Sequence, residues 1–211
     1  MTNLIPIFPL PLVAFPGEKL NLHIFEPRYK QLINDCFQNN KPFGIPPVIN
    51  NNISEVGTLM QIVEISKVYP DGKMDIKTKG LDIFKTLDII KELPDKLYAG
   101  AIVTYPSNQQ SGIPSLMNAI VKSMRKVHQI ISTNKKFDKP DDLLCSYDIA
   151  HHVGLSLEEE YCLLEYTHEV HRQEFLRRHI NETLKVLDKM ELLKKKVQLN
   201  GYFRNIEGYR F

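Results

Sequence analysis

Just after Tyr105-Pro106 the chain turns from mostly strand-like to helical hydrophobic periodicity, and that change limits what it can fold into. Upstream, apolar residues alternate with polar ones, the two-residue period of half-buried strands. Leu20-Asn21-Leu22-His23-Ile24 is one such strand. Leu59, Gln61, Val63 and Ile65 share one face of the next, with Met60, Ile62 and Glu64 on the other. Tyr69-Pro70-Asp71-Gly72 is a turn, since proline presets one dihedral and glycine allows positive φ. Met74, Ile76 and Thr78 return behind it, and Asp82–Leu87 and Leu97–Thr104 read as two further strands. Between strands, Glu26-Pro27-Arg28-Tyr29 opens a helix with proline at its first position. Tyr29, Leu32, Ile33, Cys36 and Phe37 form its apolar face, and Asn39-Asn40 closes it. Many short strands, one helix and Pro/Gly turns predict a closed or half-closed antiparallel barrel.

Downstream the period becomes helical. Residues 107–114 hold no charge and several turn formers, the composition of a linker. Leu116, Ile120, Met124, Val127 and Ile131 give one helix face. Pro140-Asp141-Asp142 starts a second helix, which Gly154 ends in a left-handed cap. Ser156-Leu157-Glu158-Glu159 is a capping box that starts a third at Leu157. Leu176, Ile180, Leu184, Leu187, Met190, Leu193 and Val197 stripe a long fourth, which Gly201 ends. The expectation is therefore an α+β chain: a barrel over 1–106, a linker over 107–114, a helical bundle over 115–198 and an aromatic, basic tail over 199–211.

At 211 residues the chain is long enough for a real core but too short for an ATPase module plus a catalytic domain. Three cysteines without a C-x-x-C pair read as reduced thiols of a cytoplasmic protein. Prolines interrupt the apolar start, so it is no secretory signal, and no apolar run is long enough to span a bilayer.

Several segments together resemble the Lon protease N-terminal domain. They are Ile5-Pro6-Ile7-Phe8-Pro9-Leu10, Phe15-Pro16-Gly17 and Leu22-His23-Ile24-Phe25-Glu26-Pro27-Arg28-Tyr29, followed in order by Phe43-Gly44, Val56-Gly57-Thr58, Pro70-Asp71-Gly72, Gly80-Leu81-Asp82-Ile83-Phe84 and Leu155–Glu160. The resemblance covers most of residues 4–190 and implies a PUA-like β-barrel followed by a helical bundle. It also implies a non-catalytic, free-standing substrate-binding domain, with unfolded or apolar polypeptide segments as ligands, a protease or chaperone as partner, and self-association into a homodimer. An adaptor or holdase role follows by analogy.

The residues support the absence of chemistry. Gly72–Thr78 and Gly80–Thr86 lack the second glycine of a phosphate-binding loop, and Ser66-Lys67 point to opposite faces of a strand. His168 and His171, with Glu165 or Glu174, offer a zinc-like cluster, but His168-Glu169-Val170-His171 falls one residue short of H-E-x-x-H. His151 and His152 read as solvated helix-end residues, His23 as a surface hydrogen-bonder, and Cys36 and Cys162 as buried thiols. No cofactor or metal is expected. For polypeptide capture, the apolar loop Pro9–Pro16 supplies candidates. Some of Leu12, Val13 and Phe15 are expected to remain exposed near Phe25 and Tyr29.

RNA binding is the alternative, through the barrel or the basic distal helix. Residues 1–106 carry 11 basic and 11 acidic side chains, which gives phosphates nothing to follow beyond a patch at Lys73, Lys77 and Lys79. Residues 172–211 carry 10 basic and 5 acidic, with Lys194-Lys195-Lys196 before Tyr202-Phe203-Arg204 and Tyr209-Arg210-Phe211.

Overall fold

The computed structural model describes residues 3–133 and 135–206, with side chains placed as far as residue 197. In chain order the elements are β1 (Asn3–Pro6), β2 (Lys19–Ile24), α1 (Pro27–Gln38), β3 (Phe43–Ile45), β4 (Val48–Ile49), β5 (Asn52–Ile53), β6 (Val56–Val68), β7 (Met74–Ile90) and β8 (Gly100–Thr104). Helices α2 (Pro114–Ile130), α3 (Ser146–Ile149), α4 (Leu157–Glu165) and α5 (Glu169–Ile206) follow. They divide into two compact units, one of Met1–Gly112 with Cys145–Arg172 and one of Ile113–Leu144 with Gln173–Phe211.

The first unit is an antiparallel sheet in the order β1-β8-β7-β6-β3, with β2 paired to the outer half of β7. Alternation decides its faces: Met60 and Ile62 of β6 and Met74, Ile76 and Thr78 of β7 point inward, while the intervening lysines face solvent. Met60, Ile62, Met74 and Ile76 pack with Tyr29, Leu32, Ile33 and Cys36 of α1, so one helix closes the core of the sheet. Proline stands at the first turn of α1 as expected, and Asn39 ends it; Phe37 lies outside the buried stripe at 46% exposure. Asn50 and Asn51 both take positive φ, the requirement of the two-residue turn that joins β4 to β5.

The expected break between residues 78 and 82 is absent, and β7 runs unbroken through Gly80. The reason is a close approach. The turn at Phe15–Glu18 docks on this strand, with Gly17 N donating to Gly80 O at 2.9 Å and Gly80 N donating to Glu18 O at 2.8 Å. A Cβ at Gly80 would lie 2.2 Å from Phe15 O, so glycine here makes room for a crossing chain and does not interrupt the strand. An isolated parallel bridge, Ile7 to Gly44, connects the chain just after β1 to β3, the two ends of the strand order.

The helical expectations hold in outline and shift in detail. The α2 face is Met117, Ile120, Val121, Met124 and Val127, while Leu116 is half-buried and Ile131 stands 51% exposed. The second helix is not continuous: a 3-10 turn at Asp141–Leu143, the four-residue α3 and another 3-10 turn at Ala150–His152 replace it. Leu144 and Cys145 are extended, and Asp148 captures the Cys145 N–H at 2.9 Å, which restarts the helix there. Gly154 has φ +80 as the cap requires. At α4 the Ser156–Glu159 box is formed in both directions, at 3.2 and 2.8 Å. Helix α5 continues through Gly201 to Ile206, because one interior glycine weakens a helix by about 1 kcal/mol without stopping it. The aromatic and basic side chains of the Tyr202–Phe211 tail lie outside the described residues.

Candidate functional site

Four of the five residues marked for polypeptide capture are drawn inward. Phe15 is fully buried, and its ring stacks on Tyr147 at 5.2 Å and lies 4.9 Å from His151. Val13 is 1% exposed, and Leu12 is half-buried against the main core. Tyr29, 8% exposed, stacks on Phe8 at 3.9 Å while the Arg28 guanidinium covers it at 4.5 Å. The prolines of the loop prevent regular pairing as expected, yet the apolar side chains between them still fold onto the core, which removes more apolar surface from water. Phe25 alone stands out, at 57% exposure between the end of β2 and the start of α1.

Its surroundings are built by the β2–β7 register. His23 lies opposite Asp75, and its Nδ1 sits 2.6 Å from Asp75 Oδ1. Tyr69, at the end of the β6–β7 hairpin, donates its hydroxyl to Asp75 Oδ2 at 2.8 Å. Hydrogen bonds from His23 and Tyr69 hold the Asp75 carboxyl below the usual carboxylate range. The His23 ring is thereby fixed, with Phe25 stacked on it at 6.3 Å and Tyr69 edge-on at 5.7 Å. Lys67 covers the Tyr69 ring at 4.4 Å. Beside this aromatic corner a shallow cavity of about 320 Å³ is lined by Leu22, His23, Ser66, Asp75 and Lys77 among others. The sequence marked His23 as a surface hydrogen-bonder and missed Asp75 and Tyr69. Their signal was available, since a turn at Pro70-Asp71-Gly72 brings positions 69 and 75 together.

A second grouping in the same unit is structural. Arg172 is completely buried, donating Nε to Glu169 at 2.9 Å and to Ser146 at 3.1 Å, Nη1 to Asn108 at 3.0 Å and to the Tyr166 carbonyl, and Nη2 to Gln109 O at 3.1 Å. The uncharged segment after β8 is thus pinned by a charged residue distant in sequence. His151 is not a solvated helix end. Its ring nitrogens face Glu160 at 2.6 Å and Glu18 at 3.3 Å, and its side chain is 32% exposed. Burial would push its pKa down, but hydrogen bonds and charge from the two glutamates outweigh this and raise it to about 9.

The other chemical candidates find other partners. The His168 and His171 rings are 5.3 Å apart, while Glu174 is held by Arg177 and Arg178, both at 2.7–2.8 Å. Among the described residues no group of three or more His, Cys, Asp or Glu is placed to hold a metal. Cys36 is buried, and burial with the nearby Asp35 raises its thiol to about 12. Cys162, expected inside, faces solvent because α4 turns Leu163 and Leu164 to the core instead. In the lysine patch, Lys73 pairs with Asp71 and Lys77 with Glu64. No helix among the described residues is long and apolar enough to cross a membrane.

The comparisons agree with this architecture. A family model of the ATP-dependent protease La (LON) substrate-binding domain matches residues 4–182. The chain belongs to the Lon substrate-binding domain family. Two solved structures share the fold of this Lon-type domain. One is a Lon N-terminal domain protein from Xanthomonas campestris, 22% identical over 83% of this chain and 98% of that one, with a TM-score of 0.63. The other is the N-terminal domain of Mycobacterium avium complex Lon protease, 15% identical over 85% and 98%, with a TM-score of 0.61. The match takes in 4–182 of the 211 residues.

Proposed function

We propose that this chain captures unfolded or apolar polypeptide segments, in an adaptor or holdase role beside a protease or chaperone. Phe25 carries the reading. A large ring left more than half in solvent, on a support of His23, Tyr69 and Asp75, gives apolar contact area at little cost in ordering. Its neighbours are polar, which keeps the patch small enough for a protein that must remain dispersed. In this reading the sheet is a PUA-like barrel, supported by the Ile7–Gly44 bridge between the ends of its strand order. Three free thiols suit a reducing cytoplasm.

The test is binding of a permanently unfolded, carboxymethylated protein across a salt series. Phe25→Ser is expected to weaken capture about tenfold while leaving the thermal midpoint unchanged, as befits an exposed hot-spot side chain. Capture is expected to survive high salt. Tight binding of a generic RNA that weakens steeply with salt, with no affinity for the unfolded protein, would replace this reading with the nucleic-acid one.

A further inference from the structure

The first unit has a second recess that the aromatic corner does not use. A cavity of about 360 Å³ lies among β1, the end of α1 and the β7–β8 connection, and Leu4, Pro6, Asp35, Lys41, Lys96 and Tyr98 are among its lining residues. That volume is within the usual range for ligand sites.

Its floor is a strand edge. Strand β1 is the end of the sheet order, paired along its length to β8, and on its other side β3 reaches it only at the Ile7–Gly44 bridge just past its end. Ile7 N donates to Ala99 O at 3.0 Å, and Ile5 is opposite Ala101. Antiparallel bonding alternates along a strand, so Ile5 and Ile7 address β8, while Leu4 and Pro6 direct their backbone groups away from it. Phe8 confirms the phase by donating to Gly44 O at 2.8 Å on the far side. Where β3 would continue back along β1, the chain instead departs at Lys41 towards α1, and the recess occupies that gap. The Pro6 C=O faces the Gly44 N–H at the Ile7–Gly44 bridge, so the open part of the edge offers the Leu4 N–H and C=O. Beside it, the Leu4 side chain is 55% exposed and Leu93 and Pro94 add apolar wall.

The charges favour one kind of occupant. Asp35 is already satisfied, accepting from Lys96 at 2.7 Å and from the Tyr98 hydroxyl at 2.8 Å. Gln31 fixes the same connection, donating to Asp95 O at 3.1 Å and accepting from Leu97 N at 2.7 Å, so the wall is preformed. Lys41 has no ion-pair partner among the described residues, which leaves the recess one net positive charge.

We propose that this recess binds an extended polypeptide segment of mixed acidic and apolar sequence, which adds as a strand to the open edge of β1 and sets a carboxylate against Lys41. The inference rests on the polypeptide-binding reading and gives it a second, backbone-reading contact.

Leu4→Pro is the decisive variant, since it deletes an N–H that the sheet does not use; Leu4→Ala controls for the lost side chain. The probe is a fluorescein-labelled octapeptide of alternating leucine and glutamate, titrated against wild type and both variants after circular dichroism confirms the fold. Leu4→Pro is expected to bind about five- to tenfold more weakly than Leu4→Ala, the loss typical of one hydrogen bond. Lys41→Glu is expected to reverse the preference between this peptide and its leucine–lysine counterpart. Equal affinities for the two Leu4 variants, or an unchanged charge preference in Lys41→Glu, would overturn the proposal. If the unfolded protein still binds and depends on Phe25 while these variants have no effect, the recess falls and the polypeptide reading stands. If neither probe binds wild type, both fall.

Discussion

The two compact units both leave apolar side chains in solvent, but they treat charge differently. In the first, Arg172 and Glu169 are inside, at 0% and 2% exposure, while Phe25 stands 57% in solvent. In the second, charge stays outside, with Glu174 held between Arg177 and Arg178. There the apolar stripe of α5 begins buried at Leu176 and Ile180 and ends at Met190, Leu193 and Val197, exposed by 52, 63 and 63%. Both ion pairs join Glu to Arg three residues later, so residue type does not explain the contrast. Location does. Inside, no water competes, so every guanidinium donor needs a protein acceptor, and Arg172 thereby fixes Asn108, Gln109 and Tyr166. Outside, water replaces a lost partner almost without penalty.

The arginines give the largest expected effect. Arg172→Ala strands the Glu169 carboxylate and is expected to destabilise by about 3–5 kcal/mol in urea unfolding, whereas Arg177→Ala leaves the midpoint where it is. Equal losses at the two positions would break the contrast. A somewhat smaller pair of values sharpens it along α5. Leu176→Ala is expected to lose about 2–5 kcal/mol, as a fully buried leucine does, and Met190→Ala to change stability by about 0.5 kcal/mol or less. A loss of several kcal/mol at Met190, measured at low and high protein concentration, would mean that the exposed half of the stripe is covered in solution.

How much of this was legible depends on whether the cause is local. The Ser156–Glu159 box, the Pro27 helix start, the Gly72 turn and the inward set Met74, Ile76 and Thr78 all follow from residues within a few positions of one another, and the sequence announces them. Gly80 failed because its meaning is set by Phe15, some sixty-five positions away. Burial of Arg172 and the placement of His151 between Glu18 and Glu160 failed likewise, since Asn108, Gln109 and Ser146 for the one and Glu18 for the other lie far away in sequence. For the candidate surface, the apolar loop and Phe25 were visible, but which of them would be covered was a property of the whole core. Val13 and Phe15 were covered by the same hydrophobic drive that made them candidates.

His151 supplies the smallest effect and a test of whether the first unit's buried charge is held as tightly as its geometry states. Its folded pKa, about 9, lies above the ordinary 6.5, so the folded chain binds the proton more strongly than the unfolded chain. Stability from this source is therefore complete below pH 6.5, declines as pH rises, and is gone above about 9. The decline is expected to total about 1–3 kcal/mol, since two carboxylates and one third exposure partly offset each other. The thiols of Cys36 and Cys145, raised by burial to about 12 and 11, add their own loss only as pH climbs past the ordinary thiol value of 9.0, so the two windows separate. His151→Gln removes the titration without removing the ring-sized side chain's hydrogen-bonding reach. Urea midpoints of wild type and this variant from pH 6 to 9 should converge as the pH rises. Parallel curves over that interval would show that His151 binds its proton no more tightly in the folded chain than in the unfolded one, and that Glu18 and Glu160 do not hold a charge there.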